Sequence, residues 1–146
     1  SMEEAVSRAE KDGKKILVDM YTDWCGWCKR MDRDTYANAE VVTFINENYH
    51  AVKFNAEQKD DVTIKGRTYT FRSDVGRRGA HEIAIEMLKG KLSYPNTVFL
   101  NNDLSILTAV PGYQKADGMM PILSYLAKDE WKKTSWEQYQ KEYQSK

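Results

Sequence analysis

Apolar positions along this chain alternate between helical and extended spacing. Met2, Val6 and Ala9 recur at helical intervals over residues 2–12, and Asp12-Gly13 ends the pattern. Ile16-Leu17-Val18 is a short continuous apolar run, which predicts a strand over 15–21 covered on both faces. Thr22-Asp23 breaks it. From Gly26 to about Asn48 the spacing is helical, with Met31, Val41, Val42, Phe44 and Ile45 on the apolar side. Its length and Ala37-Asn38-Ala39 predict a bend or two helices. His50 to Asn55 reads as a second strand. Val62-Thr63-Ile64 and Thr68-Tyr69-Thr70-Phe71 flank Lys65-Gly66-Arg67, the pattern of a small hairpin or irregular loop.

Ala80, Ile83, Ala84, Met87 and Leu88 follow the i, i+3, i+4, i+7, i+8 rule and predict a helix ending at Gly90. Residues 97–101 and 105–110 read as two strands joined through Asn101-Asn102-Asp103. Pro121 fits the first turn of a helix carrying Ile122, Leu123, Tyr125 and Leu126. Thr134 with Glu137 fits a capping box for a last helix over about 134–145. Its Trp136, Tyr139 and Tyr143 read as a packed helix face. Alternating helices and strands, then a hairpin and closing helices, predict a mixed sheet with helices on both faces.

Composition narrows the picture. A chain of 146 residues suits a single domain with a substantial core. Formal net charge is zero, and no basic tract points to nucleic acid or a membrane surface. No apolar run approaches the roughly 20 residues of a membrane-spanning helix. Serine is not a translational start, so Ser1 before Met2 reads as an addition left by expression. A leader removed beforehand leaves no trace, so the chain's start does not decide its compartment.

The chemistry centres on Trp24-Cys25-Gly26-Trp27-Cys28-Lys29, which holds the only two cysteines of the chain. A C-x-x-C pair just after a buried strand reads as a reversible dithiol/disulfide. With Cys25 opening a helix and Cys28 one turn in, the two sulfurs can bond to each other. The free N–H groups of the helix start favour a thiolate at Cys25, and Lys29 adds a cation on the same face. Cys25 is expected to be the exposed attacking sulfur and Cys28 the buried resolver.

Three other readings compete. A structural disulfide would close a four-residue loop, contributing about 2 kcal/mol against roughly 3 for a fifteen-residue loop. A zinc site needs four ligands, and His50 and His81 are not spaced as in a zinc finger; bridging a metal between two chains stays open. The third is a pair of inert core thiols, which the flanking tryptophans oppose. Asp19, inside an apolar strand, would be costly unless paired or protonated. Taken singly, Lys53 reads as a solvated strand lysine and Pro95 as a proline at a strand start.

Together and in this order, these residues resemble the thioredoxin-like superfamily. Ile16-Leu17-Val18-Asp19-Met20-Tyr21-Thr22-Asp23-Trp24-Cys25-Gly26-Trp27-Cys28-Lys29 looks like its active-site strand and turn, and Tyr94-Pro95-Asn96-Thr97-Val98-Phe99-Leu100 like its proline segment. The resemblance covers about residues 3–56 and 92–128. It implies a three-layer α/β sandwich with an insertion at about 57–91. Cys25 and Cys28 would then be the redox pair, with Asp19 and its neighbour Lys53 helping to move the proton of Cys28. Pro95 would be cis and face the cysteines, and Gly112 would follow the last strand. Trp24, Gly26, Trp27, Tyr94 and Pro95 would line the partner groove.

Trp27 stands where thioredoxin has proline, and the longer helix after the cysteines looks more like bacterial domains of the disulfide-interchange type. The function implied is exchange of Cys25–Cys28 with protein disulfides or dithiols and a redox partner protein. Reductase or isomerase is favoured over oxidase. The expectation includes no cofactor, a monomer, and a periplasmic or other extracytoplasmic compartment. A redox-inactive binding module on the same fold is the alternative.

Overall fold

The computed structural model describes residues 1–144. Helix α1 spans Met2–Asp12: the Ser1 side chain accepts from the Glu4 N–H, and Gly13 closes the helix in the left-handed region at φ 76°. Met2, Ala5, Val6 and Ala9 form its buried stripe. Strand β1, Lys15–Tyr21, buries five consecutive residues, as its unbroken apolar run requires.

The chain then makes two helices, α2 Gly26–Asp34 and α3 Ala39–Asn48. Asn38 separates them, its side chain accepting from the Val41 N–H at 3.2 Å. This long crossover returns as strand β2, Tyr49–Asn55, parallel to β1. Val42 is exposed on α3 rather than part of its buried stripe.

Residues 57–91 hold four short strands and a helix: β3 Val62–Ile64, β4 Arg67–Tyr69, β5 Phe71–Arg72, β6 Ala80–His81 and α4 Glu82–Met87. β3 and β4 form the hairpin, turning through Lys65 and Gly66 at positive φ. Ala80 is not helical. Gly79 approaches β5 so closely that a Cβ there would sit 2.8 Å from the Arg72 carbonyl oxygen, and the next two residues pair with β5. His81 Nδ1 instead accepts from the Ile83 N–H, and the helix starts two residues later than the spacing predicts.

Strands β7, Asn96–Leu100, and β8, Ile106–Pro111, complete an antiparallel pair, and the main sheet runs β2-β1-β7-β8. Helix α5 spans Ala116–Ala127 and begins five residues before Pro121, which is therefore inside it. Its start is capped by the Lys115 carbonyl alone, without a side-chain signal. After a 3-10 turn at Glu130–Lys132, α6 covers Trp136–Gln144. Ser135, not Thr134, caps it by accepting from the Gln138 N–H at 3.3 Å. Residue 145, the expected helix end, lies outside the described residues. Tyr139 packs on Tyr125 and its hydroxyl bonds Ser124, seating α6 on α5.

The two sheet faces carry separate cores. Ile16, Val18, Met20, Val98 and Leu100 pack with α1, β3 and α4. Leu17 and Phe99 pack with Met31 of α2, Val41 and Ile45 of α3, and Met119, Leu123 and Leu126 of α5. By strand alternation, Asp19 and Thr97 share this second face.

Candidate active site

β1 ends at Tyr21, and a turn closed by the Cys25 N–H on the Thr22 carbonyl delivers Cys25 to the start of α2. Cys25 is the N-cap, in extended conformation, and its Sγ accepts from the Cys28 N–H at 3.1 Å. A sulfur thus fills the place usually taken by a serine or aspartate oxygen. Cys25 and Cys28 are joined as a disulfide with Cα atoms 5.2 Å apart. Their exposures are nearly equal, 4% and 3%, so the expected exposed Cys25 is not found in this oxidised state. Trp24 and Trp27, by contrast, are 53% and 56% exposed on either side.

Asp19 sits two strands deep, opposite Lys53 on β2 and Thr97 on β7. Its pKa is raised from 3.8 to about 7, first by burial and then by the charge of Asp32, with Lys53 pulling the other way. The Lys53 ammonium does not pair with Asp19. It is bonded to Asp32 of α2 and lies 4.7 Å from the centre of the Tyr21 ring. Burial works against that ammonium, yet the bond to Asp32 and the charges of Asp32 and Asp19 raise its pKa overall.

Asp32 was not among the residues anticipated from sequence. A signal existed: it follows Cys28 by four residues, on the same helical face. Tyr36 is a second addition. Its hydroxyl meets Thr97 Oγ1 at 2.9 Å, and burial followed by the Asp19 charge raises its pKa.

The Tyr94–Pro95 bond is cis, and the Pro95 carbonyl accepts from the Gly112 N–H at 2.8 Å. Tyr94 meets Trp24 edge-on at 6.4 Å. Burial, then the charge of Glu57, pushes its pKa up to about 12. On the other side Trp27 leans on Tyr113 at 5.4 Å, with the Arg30 guanidinium 5.2 Å from its ring centre. Among the described residues no group of three His, Cys, Asp or Glu side chains gathers to hold a metal ion.

A family profile described as thioredoxin-like matches residues 1–101. The chain belongs to the thioredoxin-like family. It is 25% identical over 135 residues to an uncharacterized Caenorhabditis elegans protein, covering 90% of this chain and 16% of that one. It is 40% identical over 40 residues to the thiol:disulfide interchange protein DsbD of Colwellia psychrerythraea, covering 27% of this chain and 7% of that protein. The chain therefore spans a small part of these relatives.

A thioredoxin-fold protein from Helicobacter pylori superposes with a TM-score of 0.67 at 15% identity, covering 92% of this chain and 82% of that one, a likeness of fold. Family, fold and bonded C-x-x-C pair together support a thiol–disulfide oxidoreductase in general terms. Of these relatives, DsbD is by name a thiol:disulfide interchange protein, the type that the longer helix after the cysteines resembles.

Proposed function

We propose that this thioredoxin-like chain exchanges its Cys25–Cys28 couple with disulfides of protein substrates, as a reductase or isomerase. The observation that carries the reading is the bonded pair at the start of α2, with Cys25 as N-cap and an acid buried in the preceding strand. In the reducing direction the Cys25 thiolate attacks one sulfur of a partner disulfide. The partner S–S bond breaks, a mixed disulfide forms, and one partner thiolate leaves. The Cys28 thiol then gives its proton to the Asp19 carboxylate and attacks Cys25 Sγ. That step breaks the mixed disulfide, forms Cys25–Cys28 and releases the second partner thiolate. Two electrons pass from this chain to its partner.

Asp19, with a pKa of about 7, can hold or release a proton near neutrality. Asp32 and Lys53 set that balance from α2 and β2. Trp24, Gly26, Trp27, Tyr94 and Pro95 line the cleft for the partner strand, and a separate redox protein recycles the pair.

The reading is tested by turnover of insulin disulfides and by the reduction potential of the couple. A value near about −270 mV supports a reductase, and one near about −120 mV an oxidase. Cys28→Ser should trap mixed disulfides through Cys25, visible as adducts on non-reducing gels, while Cys25→Ser should trap none. Equal trapping by both would overturn the assignment of roles. No turnover with any disulfide would leave a redox-inactive binding module as the better reading.

A further inference from the structure

Trp24 is more than half exposed beside the disulfide, yet it is held on several sides. Its indole Nε1–H donates to both carboxylate oxygens of Glu57, at 3.1 and 3.0 Å. The guanidinium of Arg78 lies 5.3 Å from the Trp24 ring centre. Arg78 Nε donates in turn to Glu57 Oε1 at 3.1 Å. Each of these three side chains therefore touches the other two.

The triangle joins three separate parts of the chain. Trp24 comes from the turn after β1. Glu57 follows β2, its N–H donating to Asn55 Oδ1 at 2.9 Å. Arg78 comes from the turn between β5 and β6. Gly76 at φ 61° and Gly79 at φ 74° bracket that turn and let it fold back toward Trp24. The Glu57 side chain is only 16% exposed, whereas that of Arg78 is 60% exposed. A shielded carboxylate thus has an ion-pair partner on its solvent side.

We propose that Arg78 is a positioning residue for partner recognition, holding Trp24 against Glu57 so that the indole forms a fixed wall of the cleft that receives a protein disulfide. The proposal rests on the oxidoreductase reading. Its physics is a cost of ordering. Without Arg78 the indole keeps its hydrogen bond to Glu57 but loses the cover over one ring face, and Glu57 loses its cation. The ring gains rotamer freedom, which a docking protein must remove again. A small thiol that reaches the disulfide without touching Trp24 meets no such cost. The segment 57–91 thereby contributes to the active-site cleft as well as to the core.

The test uses Arg78→Ala and Arg78→Lys in the full chain. With insulin as substrate, Arg78→Ala should raise KM about fivefold, the worth of one exposed cation–π contact and one exposed ion pair, with kcat nearly unchanged. Reduction of Cys25–Cys28 by dithiothreitol should keep its wild-type rate. Arg78→Lys should fall between, because an ammonium pairs with Glu57 but does not cover the ring as a plane. An unchanged KM, or a dithiothreitol rate that falls in step with insulin turnover, would overturn the proposal.

A second arm does not depend on activity. With Trp27, Trp131 and Trp136 replaced by Phe, acrylamide quenching of Trp24 should increase in Arg78→Ala. Unchanged quenching overturns the proposal even if the enzyme is active. A wild-type chain that turns over no disulfide overturns the oxidoreductase reading instead, and the quenching still decides whether Arg78 holds Trp24.

Discussion

The two faces of the sheet each bury a titratable side chain, and they treat it oppositely. On the face packed by α1 and the 57–91 segment, His81 is fully buried. Both its ring nitrogens have partners: Nε2 meets the Asp60 carbonyl at 2.9 Å, and Nδ1 accepts from the Ile83 N–H. Its ring also stands edge-on to Phe54 at 5.3 Å. On the face packed by α2, α3 and α5, Asp19 is the one buried carboxylate among the described residues. Its neighbours pull in opposite directions, Asp32 raising its pKa and Lys53 lowering it. A buried polar group with every partner supplied stabilises the fold. One whose charge is left contested stays available for proton transfer.

The largest effect expected from this contrast is at Asp19. Its folded pKa of about 7 lies above the ordinary 3.8, so the folded state holds a proton that the unfolded state releases. Below 3.8 both states are protonated and the group is neutral to stability. Stability then falls as pH rises toward 7 and stays reduced above it, by on the order of 4 kcal/mol. Asp19→Asn should therefore stabilise the fold by up to that amount at pH 8 and scarcely at pH 3, read from denaturant melts at both. It should also slow insulin reduction near neutrality and abolish the inflection near pH 7 in the rate profile. An unaltered profile would remove Asp19 from proton transfer.

The next effect has the opposite sign. His81→Ala removes two hydrogen bonds and leaves a cavity, and should destabilise by about 3 kcal/mol. It should leave the reduction potential of the cysteine couple where it was. A shifted potential would show that the first face, too, reaches the chemistry.

The smallest effect sharpens the assignment on the second face. Asp32→Asn removes a charge that raises the Asp19 pKa and frees the Lys53 ammonium from its partner. The Asp19 pKa should fall by about 1 pH unit, detected by carboxyl NMR titration. No movement would mean that burial alone sets Asp19.

Much of this arrangement is legible in local sequence. Strand β1 is visible because five apolar or buried positions run together, and the helix start at Cys25 because Thr22-Asp23 interrupts them. The hairpin at Lys65-Gly66 is legible because a two-residue turn with positive φ calls for glycine. Other features are not local. Ala80 fits a helical stripe, yet β5 captures it through a ladder set by the close approach of Gly79. Pro121 resembles a helix start because the real start, at Lys115, uses a backbone carbonyl and carries no capping side chain.

The site divides in the same way. Spacing along one helix is enough to bring Cys25 and Cys28 together, since residues three apart share a face of the first turn. Lys53 is different: the parallel ladder sets it opposite Asp19, but α2 carries Asp32 to its ammonium. Arg78 meets Trp24 although 53 residues separate them in the chain. Short-range periodicity and turn chemistry belong to the sequence because they depend on neighbours a few residues away. Which charges face each other was decided by the packing of α2 and the 57–91 segment against the sheet, because burial and distance, not residue type, determine what a charge meets.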